Sequence, residues 1–401
     1  MNFAVTASVL SLLVTIASIP SISCNAGDAN VDRPQRPLFA HASGSPIAIA
    51  GGPDDVVVGD MNKDGKLDLV IASGRSRTLE VLPGLGDGRF RSDAVNKITV
   101  SEGPGEMALG DVNSDGNLDL AFISHDSYGV TMLLGDGKGA LALAPNSPIV
   151  MKQGQQPHTH GLGLGDLNGD GKLDLATVNS TDNDVSVAFG DGRGGFARAP
   201  ATFAVGPSPY PMALGDVNGD GHLDIIATAT ATGPLRAQQL PFSRALTLLL
   251  NDGRGSFRVS HIPLRTGEPW SVAIGDVNGD KHRDLVVTHH DMANLTVLSG
   301  DSRGAFTEVS GSPFDFGHNA FPVTLADVNH DGKQDVITAS GEGVSMMLGD
   351  GRGSFKRSPS LTFPTGRGTW NFAVADLNGD GKVDLVACSG ESNTVSVLLG
   401  Q

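Results

Sequence analysis

A nine-residue pattern, Asp-x-Asn-x-Asp-Gly-x-x-Asp, recurs seven times along this chain, beginning at Asp60, Asp111, Asp166, Asp216, Asp276, Asp327 and Asp376. Gly stands at position 6 in every copy but the fifth, where Lys281 replaces it. Alternate side chains from a tight loop surround one point, and glycine supplies the positive φ that such a loop needs. Four hard oxygen donors bearing three acidic charges suit Ca2+ better than zinc or a thiol-seeking metal. The expected ligands are Asp60, Asn62, Asp64 and Asp68, then Asp111, Asn113, Asp115 and Asp119, then Asp166, Asn168, Asp170 and Asp174. The later copies supply Asp216, Asn218, Asp220 and Asp224, Asp276, Asn278, Asp280 and Asp284, Asp327, Asn329, Asp331 and Asp335, and Asp376, Asn378, Asp380 and Asp384. Up to seven Ca2+ ions are expected, one per copy. The helical calcium hand closes at position 12 with a bidentate Glu between amphipathic helices. Here position 12 is Ile71 in the first copy and Ala387 in the last, and each loop runs into a β-type stretch such as Leu67-Asp-Leu-Val-Ile71. Closure therefore falls to the Asp at position 9, at the root of a strand. The alternative is a set of metal-free turns in which Asx side chains bond to the loop backbone.

Successive copies start between 49 and 60 residues apart, the spacing of propeller blades. Each unit has an apolar strand leading in, as in Met212-Ala-Leu-Gly215, then the Asp/Asn loop and a second strand such as Leu223-Asp-Ile-Ile-Ala-Thr228. A third, alternating strand follows, as in Thr394-Val-Ser-Val-Leu-Leu399, then a Gly-rich turn ending in Phe, as in Gly190-Asp-Gly-Arg-Gly-Gly-Phe196, and a more variable fourth strand. Four antiparallel strands make one blade. The chain stops at Gly400-Gln401, where such a turn begins, and Leu38-Phe39 followed by Ser45-Pro-Ile-Ala-Ile-Ala50 looks like its continuation. Residues 38–50 are thus expected to complete the last blade and close the ring without a covalent link, removing free sheet edges. The expected fold is all-β, a single seven-bladed β-propeller of four-stranded antiparallel blades.

The Asp-x-Asn-x-Asp-Gly-x-x-Asp copies and turns such as Leu348-Gly-Asp-Gly-Arg-Gly-Ser-Phe355 resemble the FG-GAP/VCBS repeat family, the calcium-loop propellers that include the integrin α head. The resemblance covers about residues 38–401. It implies a seven-bladed propeller with calcium in the loop joining the first and second strands. It implies no single function, since members resemble adhesion heads, lectins and accessory domains of secreted enzymes.

The formal charge of −16 argues against nucleic acid or an anionic membrane as the main partner. Three Asp in each of seven loops account for 21 of the 44 acidic residues, and seven Ca2+ would leave a charge of about −2. Residues 3–19 form an apolar run followed by Pro20 and small residues, read as a signal peptide over 1–23, with a polar linker over 24–37. The protein is therefore expected to be secreted, or held at the cell surface or in the periplasm, with lipid attachment at Cys24 as the alternative to free release. No other segment suits a membrane span. Two cysteines make no disulfide framework, and Cys388 reads as a small buried apolar residue.

The functional hint lies six residues before each first Asp. The residues there are Asp54, Gly105, His160, Tyr210, Trp270, Phe321 and Trp370, so both tryptophans and one of two tyrosines fall on one position. In a chain with only 5 % aromatic residues this predicts an arc of rings at one mouth of the channel. His160, Tyr210, Trp270, Phe321 and Trp370 are the expected ligand contacts, for a glycan or an extracellular protein, on a monomer. The alternative is that these rings plug the channel. His125-Asp126, His158, Glu268, His289-His290-Asp291 and His318 are expected in loops on the same side, and an insertion at 229–244 is placed to overhang it. These histidines raise a second function, a polysaccharide lyase or hydrolase using them for acid–base chemistry or zinc. No nucleophile motif accompanies them.

Overall fold

The computed structural model describes residues 37–93, 95–154, 156–230, 242 and 244–401. The expected signal peptide, Cys24, the linker up to residue 36 and most of the 229–244 insertion lie outside them. Among the described residues every regular element is a strand, and no helix is long and apolar enough to cross a membrane.

The first repeat shows how the sequence builds its sheet. Asp55–Gly59, Asp68–Ser73, Thr78–Leu82 and Asn96–Thr99 pair antiparallel in chain order. Asp68–Ser73 is buried at every position, as a continuous apolar strand covered on both faces must be, whereas Asn96–Thr99 alternates half-buried and exposed residues. Burial thus declines from the first strands outward. The same order recurs in the sheets that start at Met107–Gly110, Thr159–Gly165, Met212–Gly215 and Pro269–Gly275. In three of these the fourth strand is split into two short pieces, such as Leu141–Leu143 and Ile149–Val150, which both pair with Gly129–Gly135.

The last two repeats differ from the expectation of separate four-stranded units. Phe355–Ala375 is one continuous strand: Phe355 to Pro364 pairs with Gly341–Gly349, while Thr369 to Ala375 pairs with Asp384–Ser389. The linking stretch is held by hydroxyls, since Ser389 Oγ (3.1 Å) and Ser396 Oγ (2.8 Å) both donate to the Thr365 carbonyl. The two chain ends meet in this sheet. Phe39 pairs with Gly400 and His41 with Leu398, Ile47 pairs with Val395, and the Gln401 amide reaches the Leu38 carbonyl at 2.9 Å.

First strands pack side by side. Asp55–Gly59 touches Met107–Gly110, and contact passes on through Thr159–Gly165, Met212–Gly215 and Pro269–Gly275 to Val323–Ala326. Phe355–Ala375 touches Asp55–Gly59. Glycine permits this crowding at the end of a first strand: a Cβ on Gly110 would lie 2.6 Å from Leu173 Cδ1, and one on Gly275 2.7 Å from Leu325 Cδ1. The core fills the spaces between sheets, as where Ala213, Ile226 and Leu248 meet Val272 and Val287. Each fully buried Ile, Leu or Val side chain there stabilises the fold by about 1.5–3 kcal/mol. Cys388 is buried in this core, and burial pushes its thiol well up.

Candidate ligand-binding end of the sheets

Each first strand runs from the ring-bearing position to the Asp/Asn loop, so rings and loops lie at opposite ends of the sheets. The loop end is built on local hydrogen bonds. In the third copy Asp166 accepts the amides of Gly169 (2.7 Å) and Gly171 (2.8 Å), Asn168 accepts that of Asp170 (2.9 Å), and Asp170 accepts that of Lys172 (3.0 Å). Position 4 as well as position 6 takes positive φ, at Lys63, Ser114 and His330 among others, and Lys281 takes 71°. The Asp at position 9 is the buried member: Asp174 is 0 % exposed and receives Leu167 N and Gly190 N, both at 2.8 Å. Burial, with the charges of Asp166 and Asp170, raises its carboxyl to about 6. The oxygen-only donor set fits a hard cation, while its present hydrogen bonding is that of an Asx turn. Among the described residues no group of three or more His, Cys, Asp or Glu side chains is arranged to hold a metal.

At the other end the five rings meet. His160 stacks on Tyr210 with centroids 3.7 Å apart, Tyr210 lies 4.6 Å from Trp270, Trp270 is 6.1 Å from Phe321, and Phe321 is 4.5 Å from Trp370. The last two contacts are edge-to-face, the favoured aromatic geometry. Exposure is unequal along this chain of rings. His160 is 3 % exposed, Tyr210, Trp270 and Phe321 are half-buried, and Trp370 is 49 % exposed.

Strand irregularities aim these side chains. Pro269 pairs with His289 and Ser271 with Thr288, so Trp270 is skipped, and Thr369 pairs with Ser389 and Asn371 with Cys388, so Trp370 is skipped. A bulge of this kind re-aims a side chain and ends regular pairing. In the third repeat Gly161, at a φ of 58°, is the skipped residue, and Glu106 of the preceding sheet receives its amide (3.1 Å) and that of Leu162 (3.3 Å). Hydroxyls near the end of a second strand fasten the next ring segment. Ser180 donates to the Pro209 carbonyl, Thr230 to that of Pro269, and Thr288 to that of Phe321 at 2.8 Å.

The histidines divide into separate groups. His125 and His158 gather on His160, with centroids 4.4 and 4.6 Å away, and His158 Nε2 lies 2.9 Å from His160 Nε2. Burial, reinforced by the neighbouring His125 and His158, pushes the His160 imidazole down to about 2, so it is neutral at physiological pH. His290 packs on Trp270 at 5.0 Å, and buried His289 bonds Thr296 Oγ1 at 2.8 Å, with burial lowering it to about 4. Tyr210 and Trp270 stand between these two groups. His318 pairs instead with Ser345 Oγ (3.0 Å) and the Phe316 ring.

One position further along each repeat stands a set that sequence reasoning missed: Asp55, Glu106 and Asn371. Asp55 is buried, accepts the amides of Val56 and Met107 at 2.8 Å, and receives a hydrogen bond from Asn371 Nδ2, so one carboxyl group links three neighbouring first strands. The available signal was positional, since the residue five before the first Asp is acidic only in the first two copies.

A family model described as FG-GAP-like repeat matches residues 60–122, 111–177, 166–227, 240–287, 276–338 and 327–387. No curated protein sequence matches the chain. Among solved structures, the chain is similar to BBS1N in complex with ARL6DN, at 12 % identity and a TM-score of 0.59, over 91 % of this chain and 98 % of that one. It is similar to an Agrocybe aegerita lectin described as recognising non-reducing terminal N-acetylglucosamine, at 19 % identity and a TM-score of 0.54, over 78 % of this chain and 81 % of the lectin. It is also similar to virginiamycin B lyase from Staphylococcus aureus, at 11 % identity and a TM-score of 0.52, over 88 % of this chain and 98 % of that one. Identities this low show a shared propeller-like fold alone.

Proposed function

This chain belongs to the FG-GAP-like repeat family, and on that premise we propose that it is a secreted, calcium-stabilised binding module. In this reading it is a seven-bladed β-propeller whose ring is completed by residues 38–50, and it takes a carbohydrate or an extracellular protein at the ring-bearing end. The observation that carries the binding reading is the unbroken series of rings from His160 to Trp370, buried at one end and open at the other. Rings held rigid by mutual packing offer apolar area at little entropic cost to a ligand. Calcium would be held by the Asp, Asn and Asp at positions 1, 3 and 5 of each loop, with the position-9 Asp behind them. It would neutralise crowded carboxylates, so that binding adds to folding stability.

The acid–base reading is the weaker one. His160, the imidazole at the centre of its cluster, is held near 2 and is too weak a base to accept a proton at neutral pH, and His290 stands apart from it, beyond Tyr210 and Trp270. A panel of immobilised glycans and extracellular proteins, probed with and without calcium, tests the binding reading. Retention of one ligand class, lost on substitution of the ring residues, is the expected result. A blank panel in both conditions would sink it.

A further inference from the structure

We propose, resting on the calcium branch of the reading above, that the seven Asp/Asn loops form two classes of ion site. In four of them a lysine of the loop itself already brings a positive charge to the position-5 Asp, and these bind Ca2+ more weakly. In the other three no basic side chain does so, and these bind it more tightly.

The two oxygens of the position-5 Asp draw the division. In every loop Oδ1 accepts the backbone amide of the residue at position 7, from Lys66 on Asp64 (2.9 Å) to Lys382 on Asp380 (2.9 Å). Oδ2 has one of two partners. Where position 7 is lysine, the ammonium of that residue lies on it. Lys66 Nζ is 3.9 Å from Asp64, Lys172 Nζ 3.2 Å from Asp170, Lys333 Nζ 3.1 Å from Asp331 and Lys382 Nζ 3.2 Å from Asp380. Where position 7 is Asn117, His222 or His282, the position-3 Asn donates Nδ2 instead. Asn113 reaches Asp115 at 3.0 Å, Asn218 reaches Asp220 at 2.8 Å and Asn278 reaches Asp280 at 3.0 Å. Among the described residues the only ion pairs to a position-5 Asp are the four with lysine, and Lys281, at position 6 of the fifth loop, makes none.

The Gly-rich turn gives the lysine its path. Lys172 Cδ lies 2.9 Å from where a Cβ on Gly192 would be, and the Cδ atoms of Lys66 and Lys333 lie 3.1 and 3.0 Å from the same point on Gly86 and Gly351. A side chain on these glycines would meet the lysine stem. An ion held through Asp170 must share that carboxylate with the Lys172 ammonium or displace it. Whatever the pair adds to the ion-free loop is therefore subtracted from ion binding. The neutral Asn amide makes a weaker bond and brings no charge to compete. The four lysine side chains are 35–44 % exposed, where ion pairs are weak, so the classes should differ about threefold in affinity.

Competition for Ca2+ between the calcium-depleted protein and a fluorescent chelator, beside melting curves in EDTA, tests this. Lys66→Gln, Lys172→Gln, Lys333→Gln and Lys382→Gln combined should tighten the weaker class about threefold. The same variant should melt lower in EDTA and no lower in excess Ca2+. The converse change, Asn117→Lys, should weaken one of the tighter sites by a similar factor. An unaltered calcium isotherm in both variants overturns the two classes and leaves the calcium reading standing. No calcium uptake by the unsubstituted protein overturns the calcium reading and the two classes together.

Discussion

Asp174 accepts the backbone amide of Gly190 at 2.8 Å, tying the loop after a first strand to the Gly-rich turn after the third. Its other oxygen takes the amide of Leu167. The same pair of hydrogen bonds recurs in every repeat, from Asp68 with Met61 and Gly84 to Asp384 with Leu377 and Gly400. In the fourth repeat Asn251 supplies the turn amide to Asp224. The final Asp of each motif is thus an internal clasp, fully buried, that needs no ion to make its two bonds.

Replacing that clasp should be costly. Asp174→Ala leaves two buried amides without acceptors, at about 1–3 kcal/mol each. Asp170→Ala, on the exposed rim of the same loop, should cost under about 1 kcal/mol in the absence of metal. Denaturant titration of the two variants in chelator measures the difference, and equal losses would contradict the clasp.

Lys281 holds a φ of 71°, a region that L side chains enter at a cost. Its amide donates to Asp276 Oδ2 at 2.9 Å, a bond that glycine keeps. Lys281→Gly should therefore stabilise the protein by up to about 1 kcal/mol, offset in part by greater freedom of the unfolded chain. A lowered denaturation midpoint would count against a strained loop.

Asp55 should impose a pH dependence on stability. Burial above all, aided by the charges of Glu106 and Asp54, pushes its carboxyl from 3.8 to about 8, against the lowering pull of the Met107 and Val56 amides. The folded state therefore holds a proton that the unfolded chain releases. The stabilising contribution is whole below the unfolded value and is lost as pH rises through the folded one. Asp55→Asn should flatten the fall in stability between about pH 4 and pH 8. Melting curves across that range with an unchanged slope would show that Asp55 is ionised when folded.

Chelation tests the proposed calcium. If the loops hold ions in solution, EDTA should lower the melting temperature by several degrees, and added Ca2+, in excess over the chelator, should restore it. Identical melts, together with no calcium in elemental analysis of the purified protein, would leave the loops as metal-free Asx turns.

Sequence alone determined the features that are local or periodic. Seven motif copies at blade-like spacing predicted repeated antiparallel sheets, and the chain-end pattern around Phe39 anticipated its pairing with Gly400. The ring positions were legible because each occupies the same offset from a motif that marks its own register. Tertiary structure alone decided which ring stays open. It also drew Phe355–Ala375 into one strand, gathered His125 and His158 on His160, and set Asp55 between Met107 and Asn371. Those outcomes depend on contacts between residues as far as 316 positions apart, as for Asn371 and Asp55. Burial and side-chain direction at such contacts are set by the neighbouring sheet, and no local pattern encodes them.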